Sequence, residues 1–118
     1  MKAAQRYVLA LDLKDDPALI GAYRIWHQPG GPPAHVIGQI RAAGITGLEI
    51  YLTGNRLCMI LEADETFSFE RKAELDAGDP EVQAWEERMW AFQQALPWAG
   101  PGEKWVRMER IFDLGAAG

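Results

Sequence analysis

Four stretches of this chain alternate apolar and polar side chains residue by residue, while the stretches between them repeat every three to four residues. This succession of periods restricts the available folds more than any other feature of the sequence. In Arg6–Leu13, residues Tyr7, Leu9, Leu11 and Leu13 share one strand face. Leu48, Ile50 and Leu52 alternate with Glu49, Tyr51 and Thr53; Leu57, Met59 and Leu61 alternate with Cys58, Ile60 and Glu62. Thr53-Gly54-Asn55 between them signals a tight hairpin turn. A final strand is expected from Lys104 to Leu114, with Val106, Met108, Phe112 and Leu114 on one face.

Helices fill the intervals. Asp15-Asp16-Pro17 supplies a cap followed by a proline suited to the first helical turn, and Leu19, Ile20, Tyr23 and His27 form a stripe behind it. Pro29-Gly30-Gly31-Pro32-Pro33 breaks that helix. A second piece is expected over Ala34–Ala43, ended by Gly44. Glu65–Leu75 is expected to be helical up to the Asp76-Ala77-Gly78 interruption. Asp79-Pro80-Glu81 restarts a helix in which Val82, Trp85, Met89, Phe92 and Leu96 fall on one face. The order is β-α-β-β-α-β, the ferredoxin-like split-βαβ arrangement of an α+β protein. Both helical layers then lie on one face of an antiparallel sheet. The other face needs an apolar partner, for which a second copy in a C2 homodimer is the natural solution. All 118 residues suit one domain, with Gly115–Gly118 as a frayed tail.

Charge and cysteine usage remove several classes of function. The net charge is −5, and Arg6, Arg24, Arg41, Arg56, Arg71, Lys72, Arg107 and Arg110 are scattered, which disfavours nucleic acid as a partner. The one cysteine, Cys58, rules out an intrachain disulfide and a cysteine-rich metal site, and reads as a small packing residue. Met1–Arg6 lacks the apolar core of a signal peptide, and no apolar run approaches membrane-spanning length, so a cytoplasmic protein with no membrane partner is expected. No phosphate loop, dinucleotide fingerprint, HExxH or GxSxG is present; Gly30-Gly31 follows a helix rather than a strand. The two histidines, His27 and His35, flank the Pro/Gly break without a third metal ligand at a recognisable spacing. The expected chemistry is therefore proton transfer without a metal or cofactor.

Tyr23 and His27 are the natural carriers of such chemistry. Their i,i+4 spacing puts them on one helical face, one turn apart, at the end of an element. Histidine exchanges protons near neutral pH, with an ordinary pKa of about 6.5. A phenol can hydrogen-bond a hydroxylated ligand. Spacing alone favours the plainer role of packing a core. Five tryptophans allow a ring-binding pocket, though Trp26 and Trp105 read as structural.

The stretch Tyr23-Arg24-Ile25-Trp26-His27, the proline-containing segment and short helix after it, the strand Ala43–Leu52, the hairpin ending at Met59-Ile60-Leu61-Glu62 and the helix Val82–Met89 together resemble the L-rhamnose mutarotase family. The similarity spans about Arg6 to Leu114. It implies a dimeric ferredoxin-like α+β barrel that interconverts the α and β anomers of a 6-deoxy-L-sugar, L-rhamnose or L-fucose. It implies that His27 is the proton donor, Tyr23 the substrate-binding tyrosine, and Trp85 the first of two sugar-contacting tryptophans. Two positions depart from the family pattern. Glu86 stands at the second tryptophan, and Leu48 aligns with a sugar-contacting tyrosine, for which Tyr51 is the available substitute. Both changes bear on which sugar is accepted rather than on the reaction.

Anomer exchange requires a proton delivered to the ring oxygen and one removed from the anomeric hydroxyl. The open aldehyde rotates about C1–C2, and the hydroxyl re-adds to the other face. Glu62, Glu86 and a water are the candidate acceptors. A non-catalytic ligand-binding module, or a barrel monooxygenase acting on haem or quinol substrates, would use the same fold, which by itself does not separate these readings.

Overall fold

The protein is described by a computed structural model covering residues 5–117. The chain runs β1 (Gln5–Leu13), α1 (Pro17–Trp26), α2 (Ala34–Ala42), β2 (Ile45–Thr53), β3 (Arg56–Ala63), α3 (Phe69–Ala77), α4 (Pro80–Trp90), β4 (Gln93–Gln94), β5 (Val106–Arg107) and α5 (Leu114–Ala117). All pairings are antiparallel, and the sheet order is β2-β3-β1-β4, with β5 also beside β1. This is the ferredoxin-like α+β order that the sequence predicts.

Local chemistry sets most element boundaries. Asp16 accepts hydrogen bonds from the backbone N–H of Ala18 (2.9 Å) and Leu19 (3.2 Å), and Pro17 opens α1. Asp79 does the same for α4 through Glu81 (3.1 Å) and Val82 (3.3 Å). Gly44 ends α2 at φ +95°, a conformation that favours glycine, and a Cβ there would lie 2.5 Å from Thr66 Oγ1. The hairpin turns at Gly54-Asn55, with Thr53 opposite Arg56. A register shift between Ile45 and Gly47 marks a bulge near the start of β2.

Directly opposed residues share a sheet face. Leu9, Leu11 and Leu13 of β1, Leu57, Met59 and Leu61 of β3, and Leu48, Ile50 and Leu52 of β2 therefore point the same way. The helices pack on that face. Leu9, Ile45, Leu61, Ala63 and Phe67 form one buried cluster; Leu13, Tyr23, Leu57 and Met89 form another. Trp105 packs against both, consistent with its expected structural role.

Three expectations are corrected. The helix predicted from Glu65 begins only at Phe69, because Asp64 binds the N–H and hydroxyl of Thr66 in a turn and Ser68 provides the cap for α3. The stripe Val82–Leu96 is not all helix: α4 stops at Trp90, while Phe92 and Leu96 continue inward from an irregular segment. That segment gains its own backbone partner, Lys14 N–H donating to Phe92 carbonyl at 2.9 Å. The strand predicted over Lys104–Leu114 survives only as Val106–Arg107; Met108, Ile111, Phe112 and Leu114 project outward. The fourth position of the sheet is thus filled by two short pieces, β4 and β5. Leu114–Ala117 form the helical turn α5, and Gly118, the last residue of the expected tail, lies outside the described residues.

Candidate active site

The proline-glycine break closes α1 tightly. A Cβ on Gly31 would lie 2.0 Å from the Trp26 carbonyl oxygen, so the chain can reverse this closely only with glycine. His27 sits at the helix end, its backbone N–H donating to the Arg24 carbonyl at 3.2 Å. Its Nδ1 is 2.8 Å from the Tyr23 carbonyl oxygen. A carbonyl only accepts, so Nδ1 carries hydrogen and Nε2 is the nitrogen left for chemistry. The Tyr23 and His27 rings lie with centroids 4.2 Å apart, and Trp85 presents itself to His27 at 5.7 Å and 62°.

A cavity of about 240 Å³ opens here, lined by Tyr23, Arg24, His27, Ile50, Leu52 and Leu57. Its size suits one small ligand. Half of its lining is aliphatic, and the Tyr23 phenol, the His27 imidazole and the Arg24 guanidinium are its charged or titratable groups. Trp85, in contact with His27, lines a second hollow of about 200 Å³ together with Pro33, Glu81, Ala84 and Arg88. There Arg88 lies over the Trp26 ring at 4.8 Å, and Trp26 meets Trp85 edge-on at 6.1 Å. Trp26 thus braces Trp85.

Tyr23 is more deeply placed than a surface contact would be. It is 4% exposed, and its hydroxyl accepts a hydrogen bond from Gln93 Nε2 at 3.2 Å. Burial pushes its pKa up to about 12; the Gln93 hydrogen bond works against this rise and the Glu86 charge adds to it. The phenol is therefore a neutral hydrogen-bond donor at ordinary pH, not a phenolate base.

Trp85 and Glu86 flank the buried line of Val82 and Met89 on α4. Glu86 Oε2 pairs with Lys104 Nζ at 2.5 Å, and Lys104 also lies over the Trp90 ring. Glu86 is the carboxylate whose charge is felt at Tyr23. The other carboxylate considered as acceptor, Glu62, is on the opposite sheet face, paired with Arg6 at 3.6 Å. It does not join the site.

Tyr51 also fails to join it. It is paired with Cys58 on the face away from the helices and is 53% exposed, while Ile50 and Leu52 face the cavity. Leu48 packs into the first core cluster. Cys58 is half-buried on the outer face, in keeping with a packing role. His35 lies apart from the cavity, its Nε2 2.6 Å from Asp79 Oδ2. Trp98 stacks over Arg56 at 5.3 Å, outside the cavity lining. Among the described residues no group of three or more His, Cys, Asp or Glu side chains is arranged to hold a metal ion, and no helix is long and apolar enough to cross a membrane.

Sequence reasoning missed Gln93 and Lys104. Gln93 follows Phe92 in a stretch whose spacing reads as helix, and Lys104 sits in the expected last strand. Neither neighbourhood signals a site; only the return of the chain beside β1 and α4 brings them to Tyr23 and Glu86.

The chain is similar to several known proteins. The family model described as L-rhamnose mutarotase matches residues 6–114. The chain is 48% identical over 113 residues to an L-fucose mutarotase of Xanthomonas campestris pv. campestris, covering 96% of this chain and 90% of that one. It is 32% identical over 115 residues to a UPF0734 protein of Dictyostelium discoideum, covering 92% and 88% respectively. In fold it is similar to the L-rhamnose mutarotase of Formosa agariphila, with a TM-score of 0.68, 15% identity, and 93% and 98% of the two chains covered. It is also similar to the tetracenomycin F2 cyclase of Streptomyces glaucescens, with a TM-score of 0.62, 15% identity, and 92% and 95% coverage.

Proposed function

We propose that this chain, which belongs to the L-rhamnose mutarotase family, acts on L-fucose in preference to L-rhamnose and uses His27 as its proton donor. The chain is an isomerase of the L-rhamnose/L-fucose mutarotase type, interconverting the α and β anomers of its sugar. The observation that carries the assignment of His27 is its Nδ1 contact with the Tyr23 carbonyl. This leaves Nε2 available at a cavity sized for one small ligand. The preference for L-fucose rests on the extensive identity to the Xanthomonas L-fucose mutarotase.

The chemistry follows from these groups. Protonated His27 delivers a proton from Nε2 to the ring oxygen as the C1–O5 bond breaks, while the anomeric hydroxyl gives up its proton and becomes the aldehyde. Rotation about C1–C2 and the reverse transfers return the other anomer. With Glu62 on the far sheet face, the acceptor is Glu86 or a water at the site. Lys104 holds the Glu86 carboxylate in place. Trp85 and the aliphatic wall receive the CH face and methyl group of a deoxy sugar. A general acid and a general base contribute about 10²–10⁴-fold each.

The working unit is a homodimer in which a second copy covers the outer sheet face. Val8, Ala10, Cys58, Ile60 and Tyr51 lie on that face, and the arm beyond β5 carries Ile111, 90% exposed, and Phe112, 67% exposed. The radius of gyration, 15.1 Å, exceeds the about 13.5 Å of a compact chain this long, as a projecting arm requires. A reducing, cytoplasmic setting suits the free thiol of Cys58.

Saturation-transfer NMR on equilibrated L-fucose and L-rhamnose tests the reading. Transfer between anomeric protons should rise with added protein, more for L-fucose. Transfer unchanged for both sugars would overturn the activity, and a larger gain for L-rhamnose would overturn the preference.

A further inference from the structure

Gln93 is a buried amide with unfinished hydrogen bonding. It lies in β4 directly opposite Leu13 of β1, so its side chain shares the helix-covered face. It is 5% exposed. Its Nε2 donates to the Tyr23 hydroxyl at 3.2 Å, and its Oε1 is buried without a hydrogen-bond partner among the described residues. Buried polar atoms are nearly always paired, so a lone one beside a site residue needs a reason.

The arrangement also fixes the direction of the Tyr23 hydroxyl. Its oxygen accepts from Gln93, and an amide N–H cannot accept in return, so the phenolic hydrogen is left to donate elsewhere. The high pKa set by burial keeps that hydrogen in place. The Tyr23–Gln93 pair therefore holds one free donor, the phenolic O–H of a residue that lines the cavity, and one free acceptor, the amide Oε1 of a buried residue in contact with it from outside that lining. A single alcohol is their complement, because it accepts one hydrogen bond and donates another.

We propose that Tyr23 and Gln93 together read one hydroxyl of the sugar, which accepts from the Tyr23 O–H and donates to Gln93 Oε1, and that Gln93 is thereby a specificity-determining residue. This rests on the reading of the Tyr23–His27 cavity as the sugar site. L-Fucose and L-rhamnose differ in hydroxyl configuration around the ring, and a site built to pair one hydroxyl discriminates strongly against a sugar that leaves it unpaired. No covalent step passes through Gln93. Its contribution is to binding, so its loss falls mainly on KM.

The test compares wild type, Gln93→Met, which keeps length without the amide, and Gln93→Asn, which keeps the amide but shortens it. Anomer exchange is measured on L-fucose, L-rhamnose and the 2-, 3- and 4-deoxy derivatives of L-fucose. In wild type one deoxy derivative should lose about 10–100-fold in kcat/KM. Gln93→Met should lose a similar factor on L-fucose, mainly through KM, and should no longer distinguish L-fucose from that derivative. If Gln93→Met and Gln93→Asn only lower the melting temperature and keep the wild-type ranking of the sugars, the hydroxyl-reading role is wrong. If wild type exchanges neither parent sugar, the mutarotase reading fails first and this proposal falls with it.

Discussion

The imidazole Nδ1 of His27 sits 2.8 Å from the carbonyl oxygen of Tyr23, one helical turn earlier. The last carbonyls of a helix lack intrahelical partners. A histidine at the helix end takes up one of them, and its ring is oriented by the same bond. Termination of α1 and presentation of Nε2 are thus one structural event. His27→Ala should slow anomer exchange by about 10²–10⁴-fold. Loss of the hydrogen bond itself should cost only about 0.5–1.5 kcal/mol of stability. Exchange NMR and urea unfolding on the same samples check both; equal exchange in mutant and wild type would remove His27 from the chemistry.

Gly31 holds the turn that follows. Its Cβ position coincides with the Trp26 carbonyl at 2.0 Å, and backbone cannot yield as a flexible side chain would. Gly31→Ala should destabilise by about 1–3 kcal/mol. It should also reduce exchange, because the displaced segment carries His27. Gly38→Ala, with no atom within 4 Å of the new methyl, is the control and should be harmless or slightly stabilising.

The contact between His35 and Asp79 predicts a specific pH dependence. The hydrogen bond to Asp79 is the main cause raising the His35 pKa above 6.5, and the same bond is the main cause lowering Asp79 below 3.8. The His35 contribution is complete below its unfolded pKa and is lost as pH rises through the raised folded value. The Asp79 contribution is complete above its unfolded pKa and is lost as pH falls through the lowered folded value. The pair therefore stabilises most between these ordinary values and fades on either side. The melting temperature should fall as pH rises through and above the ordinary histidine value of about 6.5, with a smaller fall in His35→Gln. Identical slopes for the two proteins would exclude this source.

The arm beyond β5 predicts the assembly state. Sedimentation of wild type should give a dimer, and replacing Ile111 and Phe112 together by serine should shift it toward monomer while leaving the circular dichroism unchanged. A wild-type monomer at working concentration would contradict the proposed pairing.

The strands and the caps were readable because each depends on near neighbours. Alternation in β1, β2 and β3, the Asp16 and Asp79 caps and the Gly44 terminator all appear where local spacing puts them. Phe92 and Leu96 misled because three- and four-residue steps persist beyond the point at which the helix stops. Leu96 is buried and Phe92 half-buried from an irregular segment, where periodicity has no meaning. The last strand misled because alternation reports a pattern, not a partner; only Val106 and Arg107 find β1.

The candidate site divides along the same line. His27, Tyr23 and Trp85 were identifiable from spacing and resemblance, and the structure brings all three together. Tyr51 was offered by the resemblance, as the substitute for a tyrosine that aligns with Leu48, and is excluded by strand parity: it is one residue from Ile50, and adjacent strand residues face opposite sides.

By itself, the sequence determined the order of elements, their caps and the face on which His27 and Tyr23 lie, because these follow from residue types within a few positions of one another. Only the tertiary structure decided which polar groups surround that face. Gln93 reaches Tyr23 across 70 residues, and Lys104 reaches Glu86 across 18. Such contacts depend on where distant segments return to the sheet, and no local period in the chain encodes that.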